Sequence, residues 1–461
     1  MTKAATADVV GHEADIKEPH TREDEESLKG FVSRILDEAK LQGADAAEVS
    51  AGDDIGLSVV VRAGDLETVE FSRDRGFGIT VYIGNRKGGS STTDTSEESI
   101  RESVRAAVNI ARHTESDPHS GLADPDRLAT EFPNLDLYHP QPMDVEVAKE
   151  RALVADSAAM DFDSRVFKTD GARIDASSSC AAYGNSLGFL NAERGSRYSV
   201  FSDVIAKSDN GMQRDYWFST ARHAGELDSP TEVGETAARR AVMKLDPRPI
   251  PTGEYPVLFD SNMASGLISH LISALGGRAQ YLKASYLLDS LEETVTTSEL
   301  TLHEYPHVKR ALGSRTHDSE GVATTEKAFV ENGTVRNYVL SSYSGRHLNM
   351  PTTGNASGVC NLTVEAKTQP VEEILKQMGT GFVVHSLMGQ GVNIVTGDYS
   401  RGASGYWVEN GELAHPVDEL TIAGNLRDIF CRMVAFGDDI DLRRPVRTGS
   451  ILVEAMTVAA N

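Results

Sequence analysis

One short segment carries the residue types of a zinc peptidase. His303-Glu304-Tyr305-Pro306-His307 fits the HExxH pattern, in which two imidazoles on one helical face bind zinc and the glutamate polarises the bound water. Pro306 lacks a backbone N–H, clashes with the preceding turn and biases Tyr305 towards extended geometry. The two histidines are therefore not expected to share a helical face, and we predict a surface loop here.

A second segment, Gly184-Asn185-Ser186-Leu187-Gly188, fits the GxSxG nucleophile elbow of serine hydrolases. An elbow holds its serine between a strand and a helix. In this chain a polar, strand-like segment follows instead of a helix. The glycines therefore predict a hairpin turn rather than a catalytic serine.

A third segment gathers polar groups between two apolar stretches, from Asp398 through Tyr399 and Ser400 to Arg401. A carboxylate, a phenol and a guanidinium on a loop between rigid strands often line a cleft. Alternatively, Asp398 and Arg401 pair with each other and only hold the turn, since such ion pairs are common. The sequence leaves both interpretations open.

The elements that would position these residues are helices and short strands. A first helix is predicted from Leu28 to about Gln42, and the alternating prolines of Asp246 to Pro251 mark the clearest boundary. We predict an α+β fold, with N-terminal units of helices and antiparallel strands followed by a large, mostly antiparallel β domain. The predicted division is a flexible acidic tail over 1–27, an α/β unit over 28–130, a middle α+β unit over 131–246 and a β-rich domain over 252–461.

The composition restricts the class of protein. The chain has 461 residues and a net charge of −24, from 69 acidic against 45 basic residues, and such an excess of carboxylates disfavours a nucleic-acid partner. Cys180, Cys360 and Cys431 are far apart and form no CxxC pair, which favours a reducing cytoplasm over a disulfide framework. Residues 1–27 lack the apolar core of a signal peptide, and the uncharged run 377–397 is too rich in glycine and polar residues for a membrane helix.

Longer motifs resemble one protein family. The run Leu387 to Asn393 and the longer run Val395 to Gly411 closely resemble the PmbA (TldE) branch of the TldD/PmbA family. The resemblance covers nearly everything after the tail. The other matching segments are Asn185 to Phe189, Leu287 to Leu291, Asp318 to Gly321, Thr353 to Ala356 and Gly449 to Val453.

The resemblance implies a cytoplasmic metallopeptidase system, once described as a modulator of DNA gyrase, that acts on unfolded peptides. The active TldD partner resembles a zinc enzyme with an HExxxH helix and a later cysteine ligand. On the corresponding helix of this chain, Gly266 to Leu275, the first His becomes Ser269, the Glu becomes His270 and the second His becomes Ala274. The resemblance therefore implies that the imidazole ligands and the general base are missing.

The cysteine ligand also has no counterpart. The segment Gly437 to Gly449, where the family would place it, contains no cysteine, and Cys431 lies on the preceding helix-like stretch. Zinc hydrolysis needs about three protein ligands and a base. We therefore predict no catalytic residue and no metal ligand in this chain.

His270 lies on the side of its helix opposite the apolar stripe. It faces a cleft, a partner or only water, and an isolated histidine without a supporting partner is more often structural than catalytic. The candidates for a cleft-lining or partner-facing surface are His270, Asp398, Tyr399 and Arg401.

We expect the metal-free accessory subunit of a TldD/TldE-type heterodimeric peptidase, with zinc held by a TldD-like partner and an extended peptide as substrate. The family is enzymatic, but this chain alone is predicted to be inactive. A rival hypothesis is a stand-alone homodimeric protein that binds peptides or acts as a regulatory protein, without peptidase activity. A third is an independently active metallopeptidase that uses His303 and His307. No membrane or nucleic-acid partner is expected.

Overall fold

The computed structural model describes residues 19–142 and 144–460. The helices are α1 (Arg22–Leu41), α2 (Glu97–His113), α3 (Val145–Asp161), α4 (Pro230–Met243), α5 (Ser261–Ala274), α6 (Gly277–Tyr281), α7 (Ser342–Leu348), α8 (Val371–Met378) and α9 (Leu426–Cys431). None of the helices in these two ranges is long and apolar enough to cross a membrane.

The strands of the first half are β1 (Ala46–Arg62), β2 (Asp65–Ile83), β3 (Arg86–Thr92), β4 (Val166–Asn185), β5 (Leu190–Ser208) and β6 (Gly211–Ala221). Those of the second half are β7 (Gly253–Phe259), β8 (Thr301–Glu304), β9 (Lys327–Glu331), β10 (Thr334–Val335), β11 (Leu362–Glu365), β12 (Thr368–Gln369), β13 (Gly381–Met388), β14 (Asp398–Glu409), β15 (Glu412–Asn425), β16 (Met433–Gly437), β17 (Val446–Arg447) and β18 (Ile451–Ala460).

The N-terminal half is one antiparallel sheet with the strand order β3-β2-β1-β4-β5-β6. Buried and less buried residues alternate along β1, as expected of a strand with one face against a core. Helices α1 and α2 pack against one part of the sheet, and α3 and α4 pack against another. Because β1 pairs with β4 along most of its length, the two predicted N-terminal units share a single sheet. The boundary predicted between these units at residue 130 remains a prediction.

Helix α1 begins earlier than predicted. Thr21 and Asp24 form a capping box that starts the helix at Arg22, and acidic residues fill its first turn, where they interact favourably with the helix dipole. The prediction of a tail to residue 27 is therefore wrong for residues 22–27, because their acidic character belongs to a helix start. Residues 1–18 of the predicted tail lie outside the described residues.

The C-terminal half contains two sheets. One has the order β12-β16-β18-β15-β14-β13-β7, and an additional pairing of β18 with β7 closes five of its strands into a ring. The other has the order β10-β9-β8-β11-β17. Parallel pairs occur at β7–β13, β12–β16 and β11–β17, and the remaining pairs are antiparallel. The predicted α+β fold with a large, mostly antiparallel C-terminal domain is confirmed.

Candidate functional site

Helix α5 is the helix to which the resemblance would assign zinc. Asp260 caps its N-terminus, where Oδ1 accepts a hydrogen bond from the Met263 N–H at 3.0 Å. One side of the helix is fully buried in the core of the C-terminal domain through Leu267, Ile268 and Leu271. The apolar stripe predicted from the sequence therefore fixes the helix against the sheets.

The residues at the zinc positions of α5 do not fit a zinc site. The Ser269 hydroxyl donates to the Ser265 carbonyl at 2.7 Å within the helix, and Ala274 has no donor atom and is fully buried. His270 is then the single imidazole of this helix, whereas a zinc site needs about three protein ligands. Among the residues described, no group of three or more His, Cys, Asp or Glu side chains could hold a metal ion. We derive no catalytic step through zinc in this chain.

Three of the four candidate residues come together beside α5. The rings of His270 and Tyr399 meet edge to face with their centroids 6.1 Å apart, and Tyr399 is 2% exposed. Burial, together with the positive charge of Arg401, lowers the pKa of His270. Burial raises the pKa of Tyr399. The cluster therefore presents a neutral imidazole, a protonated phenol and a guanidinium.

The fourth candidate, Asp398, points the other way. Its carboxylate accepts a hydrogen bond from the Thr396 hydroxyl at 2.6 Å, and it is exposed. Arg401 instead donates to the Gly389 carbonyl at 2.9 Å. The interpretation that Asp398 and Arg401 pair to hold a turn is therefore wrong. Both residues belong to strand β14, where residues three apart project to opposite faces.

The HExxH segment is structural. Residues 301–304 form strand β8, and Glu304 is fully buried with its carboxylate 2.6 Å from the Lys327 ammonium. His303 stacks on Tyr305, and His307 lies 3.1 Å from the Thr324 hydroxyl. The prediction of a surface loop is wrong at Glu304, although Pro306 correctly indicated that no helix forms.

The GxSxG segment forms the turn between β4 and β5, which pair as a hairpin. The Ser186 Oγ accepts a hydrogen bond from the backbone N–H of Ala47 at 3.0 Å. The Asn185 side chain accepts from the N–H groups of Leu187 and Phe189. These contacts brace a turn and leave no nucleophile elbow.

A buried ionic cluster at the start of α5 was not predicted from the sequence. The His385 ring lies between two carboxylates, with Nε2 3.0 Å from Asp215 Oδ2 and Nδ1 3.0 Å from Asp260 Oδ2. Arg240 and Lys244 approach Asp215 at 3.4 and 3.8 Å. The cluster joins the N-terminal sheet to α5. Its residues are far apart in the sequence, so no local motif indicates that they are neighbours.

A β-bulge aims His385 at this cluster. In the β13–β14 ladder Val384 pairs with Gly405 and Ser386 pairs with Ser404, which leaves His385 without a partner across the strands. A bulge of this kind often redirects a side chain. A Cβ atom at Gly405 would collide with the Val383 carbonyl, so the bulge requires glycine at that position.

A cleft of about 1160 Å³ lies elsewhere, between the connector after α2 and the C-terminal domain. The connector pairs briefly with the C-terminal domain at Leu128 and Val322, and the Leu135 carbonyl accepts a hydrogen bond from the Arg310 N–H at 2.9 Å. Between these two contacts, residues 130–133 make no hydrogen bond to the backbone of any other described residue. The walls combine polar side chains, among them Thr130, Thr316, Thr324, His307 and Lys327, with apolar ones such as Phe132, Pro133 and Val322.

Comparison with known proteins gives consistent matches along the chain. Three family models match: PmbA/TldA metallopeptidase domain 1 over residues 47–111, the central domain over 138–245 and the C-terminal domain over 252–460. A metalloprotease PmbA homolog of Haemophilus influenzae is 44% identical, covering 95% of this chain and 97% of the relative.

Solved structures share the fold. A candidate modulator of DNA gyrase from Bacteroides thetaiotaomicron has a TM-score of 0.89 and 26% identity, covering 94% of this chain and 99% of that one. TldE from Thermococcus kodakarensis has a TM-score of 0.82 over 93% of this chain and 100% of that one. Its sequence identity is 18%, so this comparison shows a shared fold only.

Proposed function

The chain belongs to the PmbA/TldD metallopeptidase family, and we propose that it is the metal-free accessory subunit of a two-chain TldD/TldE-type peptidase. In this proposal a TldD-like partner holds the zinc and the two chains together act on unfolded peptides. The chain alone is then inactive.

The side chains at the zinc positions of α5 support this proposal. Ser269 is engaged within the helix, Ala274 has no donor atom, and His270 stands alone as a nitrogen ligand. The only glutamate of the HExxH segment is held by Lys327 in a buried ion pair, so it is unavailable as a general base. In this proposal the ligands and the base for zinc hydrolysis come from the partner chain.

We propose that His270 and Arg401, beside the buried ring of Tyr399, form the surface that faces the partner or the shared substrate chamber. It occupies the position at which the resemblance places zinc, yet it offers a neutral imidazole and a guanidinium. Such groups donate hydrogen bonds to carbonyl or carboxylate oxygens without cleaving a bond. Asp398 faces the opposite side of its strand and plays no part in this surface.

We propose that an extended peptide is bound by its main chain. The cleft beside residues 130–133 offers backbone groups that pair with no other described residue. Main-chain hydrogen bonds bind any extended sequence, which suits substrates that must first be unfolded. The net charge of −24 disfavours nucleic acid as a partner. The three unpaired cysteines favour a cytoplasmic location.

The test is co-purification with a TldD-like chain, followed by a peptidase assay of each chain alone and of the mixture. We expect cleavage of an unstructured peptide by the mixture, no cleavage by this chain alone, and no stoichiometric zinc in it. Cleavage by this chain alone, or stoichiometric zinc that is lost in His303→Ala, would favour an independent metallopeptidase. Failure to associate with any TldD-like chain would favour the stand-alone homodimer.

A variant pair tests the proposed surface. Arg401→Ala should lower the activity of the mixture while the thermal midpoint of the isolated chain stays close to that of the wild type. Arg336→Ala is the control, because Arg336 is also partly exposed but pairs with Glu292 and Glu331 on another part of the domain. Equal effects of the two variants would contradict the assignment of the surface.

A further inference from the structure

The ionic cluster around His385 joins two domains. Asp215 on β6, Arg240 on α4 and Lys244 at the end of α4 belong to the N-terminal half, whereas Asp260 and His385 belong to the C-terminal half. The ring of Tyr406 on β14 lies 5.3 Å from the imidazole, centroid to centroid. These are the titratable and charged groups that face His385 from the elements packed against it.

The geometry fixes the protonation state of His385. Each ring nitrogen lies 3.0 Å from a carboxylate oxygen, and an ionised carboxylate can only accept hydrogen bonds. Both nitrogens must therefore carry a proton, which makes the ring an imidazolium. His385 is 8% exposed and Asp215 is 7% exposed, so water cannot easily replace the contact between them, and the side chain of Asp260 is 19% exposed.

We infer that protonated His385 clamps the N-terminal domain onto the start of α5, and that loss of its proton loosens this joint. A neutral ring would present a lone pair to one of the two carboxylates, so that one hydrogen bond is replaced by repulsion. Asp260 is also the cap of α5, and a change in its position reaches the first turn of that helix directly.

The sign of the pH dependence follows from the partners. Burial alone would lower the pKa of His385, but hydrogen bonds to Asp215 and Asp260 raise it above its ordinary value of 6.5. The pKa of Asp215 is lowered to about 2, so this carboxylate stays ionised near neutrality. The stabilisation by His385 is therefore complete below pH 6.5 and is lost as the pH rises through the folded-state pKa.

Hydrogen exchange measured by mass spectrometry tests the clamp at about pH 6 and about pH 8.5, one value below and one well above the ordinary pKa of a histidine. After correction for the base catalysis common to all amides, the first turn of α5 should lose protection at the higher pH. Peptides from α1, which lies outside the cluster, should not. His385→Gln should show low protection of α5 at both pH values. His303→Gln is the control, because no carboxylate of the described residues pairs with the His303 ring, and this variant should behave as the wild type does.

Two results would overturn the inference: an α5 response equal to that of α1 in the wild type, or an unchanged pH dependence in His385→Gln. If His385→Gln does not fold, the wild-type comparison of α5 with α1 within one chain still decides the question.

Discussion

Replacing Lys327 with methionine tests whether the glutamate of the HExxH segment is structural. Lys327 Nζ lies 2.6 Å from Glu304 Oε2, and Glu304 is fully buried. The same carboxylate accepts hydrogen bonds from Asn355 Nδ2 and from the backbone N–H of Cys360. Lys327→Met therefore removes the counter-charge but leaves the other contacts of Glu304 in place.

The expected cost follows from this partial compensation. Breaking a buried ion pair by removing one partner costs about 3–5 kcal/mol, because a charge is left uncompensated. Since Glu304 keeps its bonds from Asn355 and Cys360, we expect Lys327→Met to lower the free energy of unfolding by about 3 kcal/mol. When Lys327→Met is combined with Glu304→Gln, the loss should fall short of the sum of the single losses by about 1–3 kcal/mol.

Urea unfolding followed by tryptophan fluorescence measures these losses, since Trp407 lies in the same domain as the pair. The matched control is Lys376→Met, which breaks an exposed pair with Glu373 of similar length, 2.7 Å. That change should cost much less, because exposed ion pairs contribute little to stability. Equal losses in the two variants, or strict additivity in the double variant, would refute the assignment of Glu304 as a buried structural anion.

Two further predictions concern glycines and thiols. Gly405→Ala should lower the thermal midpoint, at a cost of about 1–3 kcal/mol, because its methyl group meets a backbone carbonyl of β13. Gly266→Ala, at a position on α5 with open space around it, should instead raise the free energy of unfolding by about 0.5–1 kcal/mol. A change of the same sign in both variants would contradict the packing argument. Of the three thiols, that of Cys431 should react rapidly with iodoacetamide at neutral pH because it is exposed, whereas burial raises the pKa of both Cys180 and Cys360 to about 12. Peptide mapping identifies the labelled site, and rapid labelling of a buried cysteine would contradict the packing.

Local chemistry predicted the parts of the fold that depend on a few neighbouring residues. The Asn-Gly pairs at 332–333 and 410–411 are typical of two-residue hairpin turns, and both residues of each pair have positive φ at such turns. The apolar stripe of α5 predicted its buried side. A stripe or a turn is encoded over a few residues, so it is visible in the sequence.

Features that join distant segments could not be predicted in this way. The pairing of β1 with β4 crosses the whole connector between the two predicted units. Asp215, Asp260 and His385 belong to different domains or elements, and nothing in their local sequence marks them as a cluster. Asp398 and Arg401 show the opposite error, since closeness along the chain suggested a contact that strand geometry prevents.

The closed ring of β7, β13, β14, β15 and β18 has a consequence for how the chain folds. Its closing pair, β7 with β18, joins segments about two hundred residues apart, and contacts that distant form slowly because long loops must close first. Until β18 arrives, β7 and β15 each expose an unpaired edge that can pair with another chain. During synthesis on the ribosome the whole C-terminal domain must emerge before the ring can close, so its nascent form is the stage most in need of chaperone protection.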